Sequence, residues 1–139
     1  MKNLLLSVFL CLLMSFSFAQ NNIKKNTNDR AMLKKNTVEV VNFLTKSLQL
    51  DSKQKAIFMN SYSEYANSIS KATEKTKKIK GRTPTIASKK QLQAYVLRFT
   101  EKRNKEVTAC LKKKQLKQFN EIQQRIHPMT LEIKKERKK

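Results

Sequence analysis

The chain has 139 residues and a formal net charge of +21, with 31 Lys and Arg residues against 10 Asp and Glu. It contains one glycine, two prolines and one histidine. An all-β domain would need many turns rich in Gly, Pro, Asn and Asp, whereas Lys, Gln, Leu, Glu and Ala favour helices. The composition therefore predicts an all-α protein. With one His, few carboxylates and no Gly-rich loop, we expect neither enzyme activity nor a cofactor.

The first 19 residues have the pattern of a secretory signal peptide. Lys2 gives a short positive start, residues 4–18 form an apolar run, and Ser-Phe-Ala at 17–19 has the small-x-small form of a cleavage site. The run is short for a membrane span, and polar residues follow it. We therefore predict cleavage near Ala19 and a periplasmic or secreted protein that keeps all but one of its positive charges.

Four amphipathic helices are predicted, because apolar residues recur every three or four positions along four segments. The predicted helices cover residues 30–48, residues 52–79, a third segment from Pro84, and residues 113–127. Gly81 has the chemistry of a helix stop, and Thr83 that of a cap for the third helix.

The four helices fit one domain. The predicted divisions are a signal peptide at 1–19, a polar leader at 20–29, a helical domain at 30–127 and a basic tail at 128–139. Narrow apolar stripes and wide basic faces predict a thin, curved, hairpin-like arrangement of helices. Such a structure often gains stability by pairing with a second copy.

The phrase L-x-x-K-Q-x-x-x-F occurs twice, at residues 50–58 and at residues 111–119. In the first copy, Asp51 and Gln54 have the spacing of a capping box, which predicts a tight corner between the first two helices. In the second copy, Lys112 occupies the cap position, and its side chain offers no hydrogen-bond acceptor for the helix N–H groups. Either the second corner is softer, or the third helix continues into the fourth with a kink.

The two copies resemble the LTxxQ motif of the family that includes the periplasmic proteins Spy and CpxP. The positions that carry the resemblance are Leu50, Asp51, Gln54, Leu111, Lys112 and Gln115. Asp and Lys stand where the family has threonine, and residues 117–126 also look like the family's continuation. The resemblance covers residues 45–126. It implies a cradle-shaped antiparallel dimer that acts as an ATP-independent chaperone or an envelope-stress accessory protein, and this chain lacks the metal-binding segments of some relatives.

Positive charge concentrates at the end of the second helix and along the third, where it would attract acidic partners. Most aromatic residues on the helical stripes are expected in the core, and a minority on a partly exposed surface. The candidate client-binding residues are Lys71, Lys75, Lys78, Arg82, Lys89, Lys90, Arg98, Arg103, Tyr62, Tyr65 and Tyr95.

Two hypotheses of function follow from these features. The first is a chaperone or stress protein whose partners are unfolded or partly folded proteins, with a homodimer and an anionic envelope surface as further partners and nucleic acid not expected. The alternative is a basic protein that binds polyanions such as lipopolysaccharide, anionic lipid or DNA, or a regulatory partner of a membrane sensor. Cys110 is interpreted as a small buried hydrophobe, with a disulfide to a second copy as the alternative, and His127 as an exposed helix-end residue.

Overall fold

Four helices account for most of the chain in the computed structural model, which describes residues 27–78 and 86–135. The elements are α1 at residues 27–48, α2 at Ser52–Lys78, α3 at Ile86–Thr108, α4 at Lys113–Ile122, and a 3₁₀ turn at Gln123–Arg125. The all-α prediction is confirmed, since the extended pairing among the described residues is one isolated bridge. None of the described helices has an apolar stretch long enough to cross a membrane.

The predicted helix boundaries agree with the structure at the corner between α1 and α2. Gly81, Thr83 and Pro84 lie outside the described residues, as do the signal peptide and most of the leader. The fourth helix is shorter than predicted, because the chain tightens into the 3₁₀ turn after Ile122 and then becomes extended. A residue before proline is disfavoured in the helical region, so the chain at residue 127 cannot easily continue the helix.

The hydrophobic core lies in the unit that begins at Leu33. α1 and α2 supply most of it, and α3, α4 and the C-terminal segment add single side chains. Its buried members include Val40, Val41, Leu44, Leu48, Phe58, Tyr62, Tyr65, Ile69, Val107, Phe119, Ile126 and Leu131. These residues confirm most of the predicted buried stripes of α1 and α2. Leu33, also predicted there, is partly buried, and Ile79 lies outside the described residues. The predicted stripe of α3 is only partly buried, since Val107 alone among its apolar residues is buried.

Residues 126–134 fold back as a compact turn, here called the C-terminal hook. Ile126 and Ile133 form an antiparallel bridge at its base. Inside it, the Leu131 N–H donates to the His127 carbonyl at 2.8 Å, and the His127 N–H donates to the Glu132 carbonyl at 2.8 Å. The hook is therefore ordered by its own backbone hydrogen bonds.

The C-terminal hook is also attached to the helices. The Asn36 side-chain amide donates to the Thr130 carbonyl at 2.8 Å, and the Tyr65 hydroxyl donates to the Pro128 carbonyl at 2.7 Å. Leu131 is 1% exposed. The predicted boundary of a basic tail at residue 128 is thus corrected: packed structure continues to residue 134, because an apolar side chain and two carbonyls find partners in the domain.

Replacing Leu131 with Ala tests whether the hook contributes to stability. Leu131 has a φ of 55°, and alanine bears a similar cost in this left-handed region because it also carries a Cβ, so the substitution changes burial and not backbone strain. We expect Leu131→Ala to lower the free energy of unfolding by about 2–4 kcal/mol in urea denaturation followed by circular dichroism. Leu97→Ala, at a position 65% exposed, is the matched control and should change it by less than about 0.5 kcal/mol. Equal effects of the two substitutions would contradict the packed hook.

Candidate functional site

The first copy of the repeated phrase forms a complete capping box at the start of α2. The Gln54 N–H donates to Asp51 Oδ1 at 2.9 Å, and the Asp51 N–H donates to Gln54 Oε1 at 3.1 Å. Both bonds satisfy N–H groups that the first turn of a helix leaves without a partner. The predicted corner between α1 and α2 is confirmed.

The second copy forms half of the same arrangement. The Lys112 N–H donates to Gln115 Oε1 at 3.0 Å. The Lys112 ammonium carries no acceptor atom, so it cannot accept a hydrogen bond from the Gln115 N–H. α3 ends at Thr108 and α4 begins at Lys113, so the continuous kinked helix is excluded and the less completely capped corner is the correct alternative.

The two glutamines of the phrase bind each other across the domain. Gln54 Nε2 donates to Gln115 Oε1 at 3.0 Å, and Gln115 Nε2 donates to Gln54 Oε1 at 3.2 Å. Each Nε2 also donates to a backbone carbonyl just before the other copy of the phrase. Gln54 Nε2 donates to the Cys110 carbonyl at 2.8 Å, and Gln115 Nε2 donates to the Leu48 carbonyl at 3.1 Å. Each amide therefore uses both of its donors and bonds twice through its oxygen, which satisfies a polar group placed inside the domain.

The phenylalanines of the phrase also meet. Phe58 and Phe119 are each fully buried, with ring centroids 5.9 Å apart and planes at 87°. Leu50 and Leu111 are partly buried against the same core. The repeated phrase thus packs against its own second copy, in an arrangement called here the paired corner. The local capping chemistry was predicted from the sequence, whereas this pairing was missed; the identical Leu-Gln-Phe spacing was the available signal.

A double-mutant cycle measures the glutamine pair. Gln54→Ala and Gln115→Ala should each lower the free energy of unfolding by about 1–3 kcal/mol, because each removes one donor and one acceptor contact of the other amide and leaves a backbone carbonyl without its amide donor. The double variant should lose less than the sum, with a coupling of about 0.5–3 kcal/mol. Gln93→Ala, at an exposed position of α3, is the control. Additive losses in urea denaturation would contradict the pairing.

Lys112→Asp would supply the acceptor that the second corner lacks. A carboxylate at the cap can bond the N–H of the third helical residue, as Asp51 does in the first copy, and it suits the positive end of the helix dipole. We expect the free energy of unfolding to rise by about 0.5–2 kcal/mol. Lys117→Asp makes the same change of charge inside α4 and should give no gain. A similar gain from both variants would attribute the effect to net charge.

Three of the predicted client-binding residues are instead buried together between α2 and α3. The Arg103 guanidinium carbon lies 4.7 Å from the ring centre of Tyr62 and 4.7 Å from that of Tyr65. Arg103 also donates to the Asn104 side-chain oxygen at 3.1 and 2.7 Å. Tyr62 is 0% exposed, Tyr65 3% and Arg103 6%. A guanidinium between two aromatic faces is stabilised by cation–π attraction, so these residues are removed from the client-binding set.

Burial raises the pKa of both tyrosines. Desolvation raises the pKa of Tyr62 to about 12, against the opposing positive charge of Arg103. Desolvation also raises the pKa of Tyr65, while its hydrogen bond with Thr100 acts in the other direction. Both phenols therefore stay protonated at neutral pH. The Tyr65 hydroxyl acts as a hydrogen-bond donor, whereas the buried Tyr62 hydroxyl has no hydrogen-bond partner among the described residues and Tyr62 acts as an aromatic surface.

The other predicted client-binding residues divide between the surface and the undescribed segments. Tyr95 is half-buried and stacks on Phe99, with centroids 6.1 Å apart. Arg82 and the side chain of Lys78 lie outside the described residues. The exposed members of the set are Lys71, Lys75, Lys89, Lys90 and Arg98.

α3 carries a surface that combines these cations with exposed apolar side chains. Ile86 is 76% exposed and Leu97 is 65% exposed. Ile86, Lys90 and Leu97 follow one another at four and seven positions, so they lie on one side of the helix. Lys89 and Arg98 border them. These five residues are called the α3 face. Ile86 and Leu97 were missed from the sequence, although both fall off the predicted buried stripe of the helix.

Cys110 lies at the paired corner and is half-buried. Its Sγ lies 3.1 Å from the Val107 carbonyl, to which the thiol donates. Partial burial raises the pKa of this thiol. Within residues 27–78 and 86–135, no group of three or more His, Cys, Asp and Glu side chains is arranged to hold a metal ion.

Comparison with known proteins gives no assignment, since no family model, curated protein or solved structure matches the chain. The LTxxQ resemblance stays a prediction from the repeated phrase. The described residues define a basic all-α protein with a paired corner and a mixed basic and apolar helix face.

Proposed function

We propose that the protein is an ATP-independent chaperone or envelope-stress accessory protein that binds unfolded or partly folded proteins outside the cytoplasm. The observation that supports this function best is the α3 face, where two large apolar side chains stand exposed among cations. Apolar groups in such a position contact solvent unless a partner covers them. The signal-peptide pattern supports the compartment, and the LTxxQ resemblance supports the protein class and an antiparallel dimer.

Capture would begin with electrostatic attraction between the basic α3 face and the client. Residues 86–100 contain Lys89, Lys90 and Arg98 and no acidic residue, within a chain of net charge +21. A field of this sign attracts acidic segments of an unfolding protein and raises the rate of encounter. Because the cations are exposed, salt would screen this step.

Holding would then depend on the apolar side chains. Ile86 and Leu97 can each cover a small apolar group of the client, and burial of such area is favourable by about 25 cal/mol per Å². Two isolated side chains on a convex helix enclose little area, so each contact is weak and reversible. Release would then need no nucleotide.

A second candidate function is the binding of an anionic envelope surface such as lipopolysaccharide or anionic lipid. It is favoured by the exposed lysines that begin α4, where Lys112, Lys113 and Lys114 are consecutive and Lys117 follows. The first turn of α4 has no acidic residue. This set is separate in sequence from the α3 face, so the two functions can be tested with matched variants.

The test is light scattering from a chemically denatured client diluted with equimolar protein, without ATP, at near-physiological salt. We expect the protein to slow aggregation of at least two unrelated clients, less so as salt rises. The triple variant K89Q/K90Q/R98Q should capture the client more slowly. The double variant I86S/L97S should retain the bound client less well. K113Q/K114Q/K117Q removes the same number of charges and is the control.

Three outcomes separate the candidates. Loss of suppression in the α3 variants alone supports the chaperone. Equal loss in both charge variants would reduce the effect to net charge. No suppression by the folded protein, together with salt-dependent binding to anionic vesicles that K113Q/K114Q/K117Q abolishes, would replace the chaperone with the second function.

A further inference from the structure

The lysine of the repeated phrase is the one repeated residue that the fold does not use. The leucine, glutamine and phenylalanine of both copies pack or bond within the paired corner. Lys53 and Lys114 stand at the same place in the two copies, directly before the glutamine, and both are exposed. Neither side chain makes an ion pair or a hydrogen bond with a residue that the structure describes. Their repetition therefore has no explanation in the packing of the domain.

The paired corner brings these two lysines to the same end of the domain. Four hydrogen bonds join the segments that contain them, two between the glutamine side chains and two from those side chains to the Cys110 and Leu48 carbonyls. Because α2 and α4 both begin there, the first turns of the two helices are neighbours. Basic residues that are distant in sequence are therefore collected in one place.

Other lysines of the two corners are also exposed and make no ion pair within the described part of the chain. They are Lys46, Lys55, Lys112, Lys113 and Lys117. Together with Lys53 and Lys114 they are called here the corner patch. The acidic residue in the same segments is Asp51, whose carboxylate accepts from the Gln54 N–H at 2.9 Å. The corner patch therefore has seven positive charges against one negative charge.

An apolar side chain stands beside these charges. Ile57 is 39% exposed and follows Lys53 by one turn of α2, so the two side chains share one side of the helix. Lysines next to an exposed aliphatic group suit the surface of a bilayer, because the ammonium groups meet lipid phosphates while the apolar group enters the layer beneath them. A soluble phosphate compound would use the lysines and leave Ile57 in water.

We propose that the corner patch attaches the protein to a bilayer of anionic phospholipid, with both copies of the phrase contributing to one contact. The inference rests on the second candidate function and deepens it. It names the lipid phosphate as the ligand, and it adds the lysines of the first copy and Ile57 to the lysines of α4. The contributions of the lysines combine because they face the same charged layer.

The experiment measures binding of the chain without its predicted signal peptide to vesicles, by co-sedimentation at near-physiological salt. We expect binding to vesicles of phosphatidylcholine mixed with phosphatidylglycerol, and none to phosphatidylcholine alone. K53Q and K114Q should each weaken binding by about fivefold, and K53Q/K114Q by about 25-fold, which is the effect expected for lysines close to an anionic surface. Equal losses in the two single variants would support a contact shared by both copies.

K71Q/K75Q is the matched control, because it removes the same charge from exposed positions of α2. Lys71 lies about 27 Å from Lys53 along the helix axis, at roughly 1.5 Å per residue. Since charges are screened over about 8 Å at this salt, the control should change binding by less than about twofold. Ile57→Ser should weaken binding to the mixed vesicles and leave binding to inorganic polyphosphate unchanged. Circular dichroism of each variant checks that the helices are retained.

Each contrary result would overturn the attachment. Equal losses in K53Q/K114Q and K71Q/K75Q would reduce binding to net charge, and a loss in K114Q without one in K53Q would restrict the contact to α4. These two results leave the second candidate function standing, whereas a native chain that does not bind the mixed vesicles removes that function as well. Unchanged vesicle binding by Ile57→Ser, with equally strong binding of the native chain to polyphosphate, would assign the corner patch to soluble phosphate.

Discussion

The reciprocal hydrogen bonds between Gln54 and Gln115 are the constraint on which the rest of the domain depends. A primary amide inside a protein is costly unless both donors and its oxygen are bonded, and here each amide satisfies the other. The same oxygens accept the cap N–H groups of α2 and α4, so one contact fixes where both helices begin. With both starts fixed, the Phe58 and Phe119 rings one turn further on meet at a defined angle.

The sequence predicted those features that depend on neighbouring residues. The all-α class, the buried stripes of α1 and α2, and the capping box at Asp51 follow from composition, period and spacing within a few positions. The glutamine pair joins residues 61 positions apart, and no local rule specifies that two capping residues will bond. The C-terminal hook was missed for the same reason: Leu131 looks like one apolar residue in a basic tail, and its burial depends on Asn36 and Tyr65, which are distant in sequence.

The candidate site was predicted less well because charge and aromaticity are imperfect guides to exposure. Arg103 was grouped with the surface cations, yet two aromatic faces replace water around its guanidinium. The delocalised, weakly hydrated guanidinium suits such a position better than the strongly hydrated ammonium of a lysine. Conversely, Leu97 and Ile86 are apolar and exposed. Which cations become buried is decided by which rings lie opposite, and that is a property of the helix pairing.

These two departures share a physical origin in the uneven packing of α3. Its C-terminal part contributes Arg103 and Val107 to the interior, where the paired corner holds the helix end in place. Towards Ile86 the large apolar side chains are partly buried or exposed. The mixed basic and apolar surface therefore lies at the less packed end of α3, where small conformational changes cost the least free energy. The proposed binding of varied and incompletely folded partners would benefit from such a position, because the α3 face could adapt while the paired corner preserves the fold.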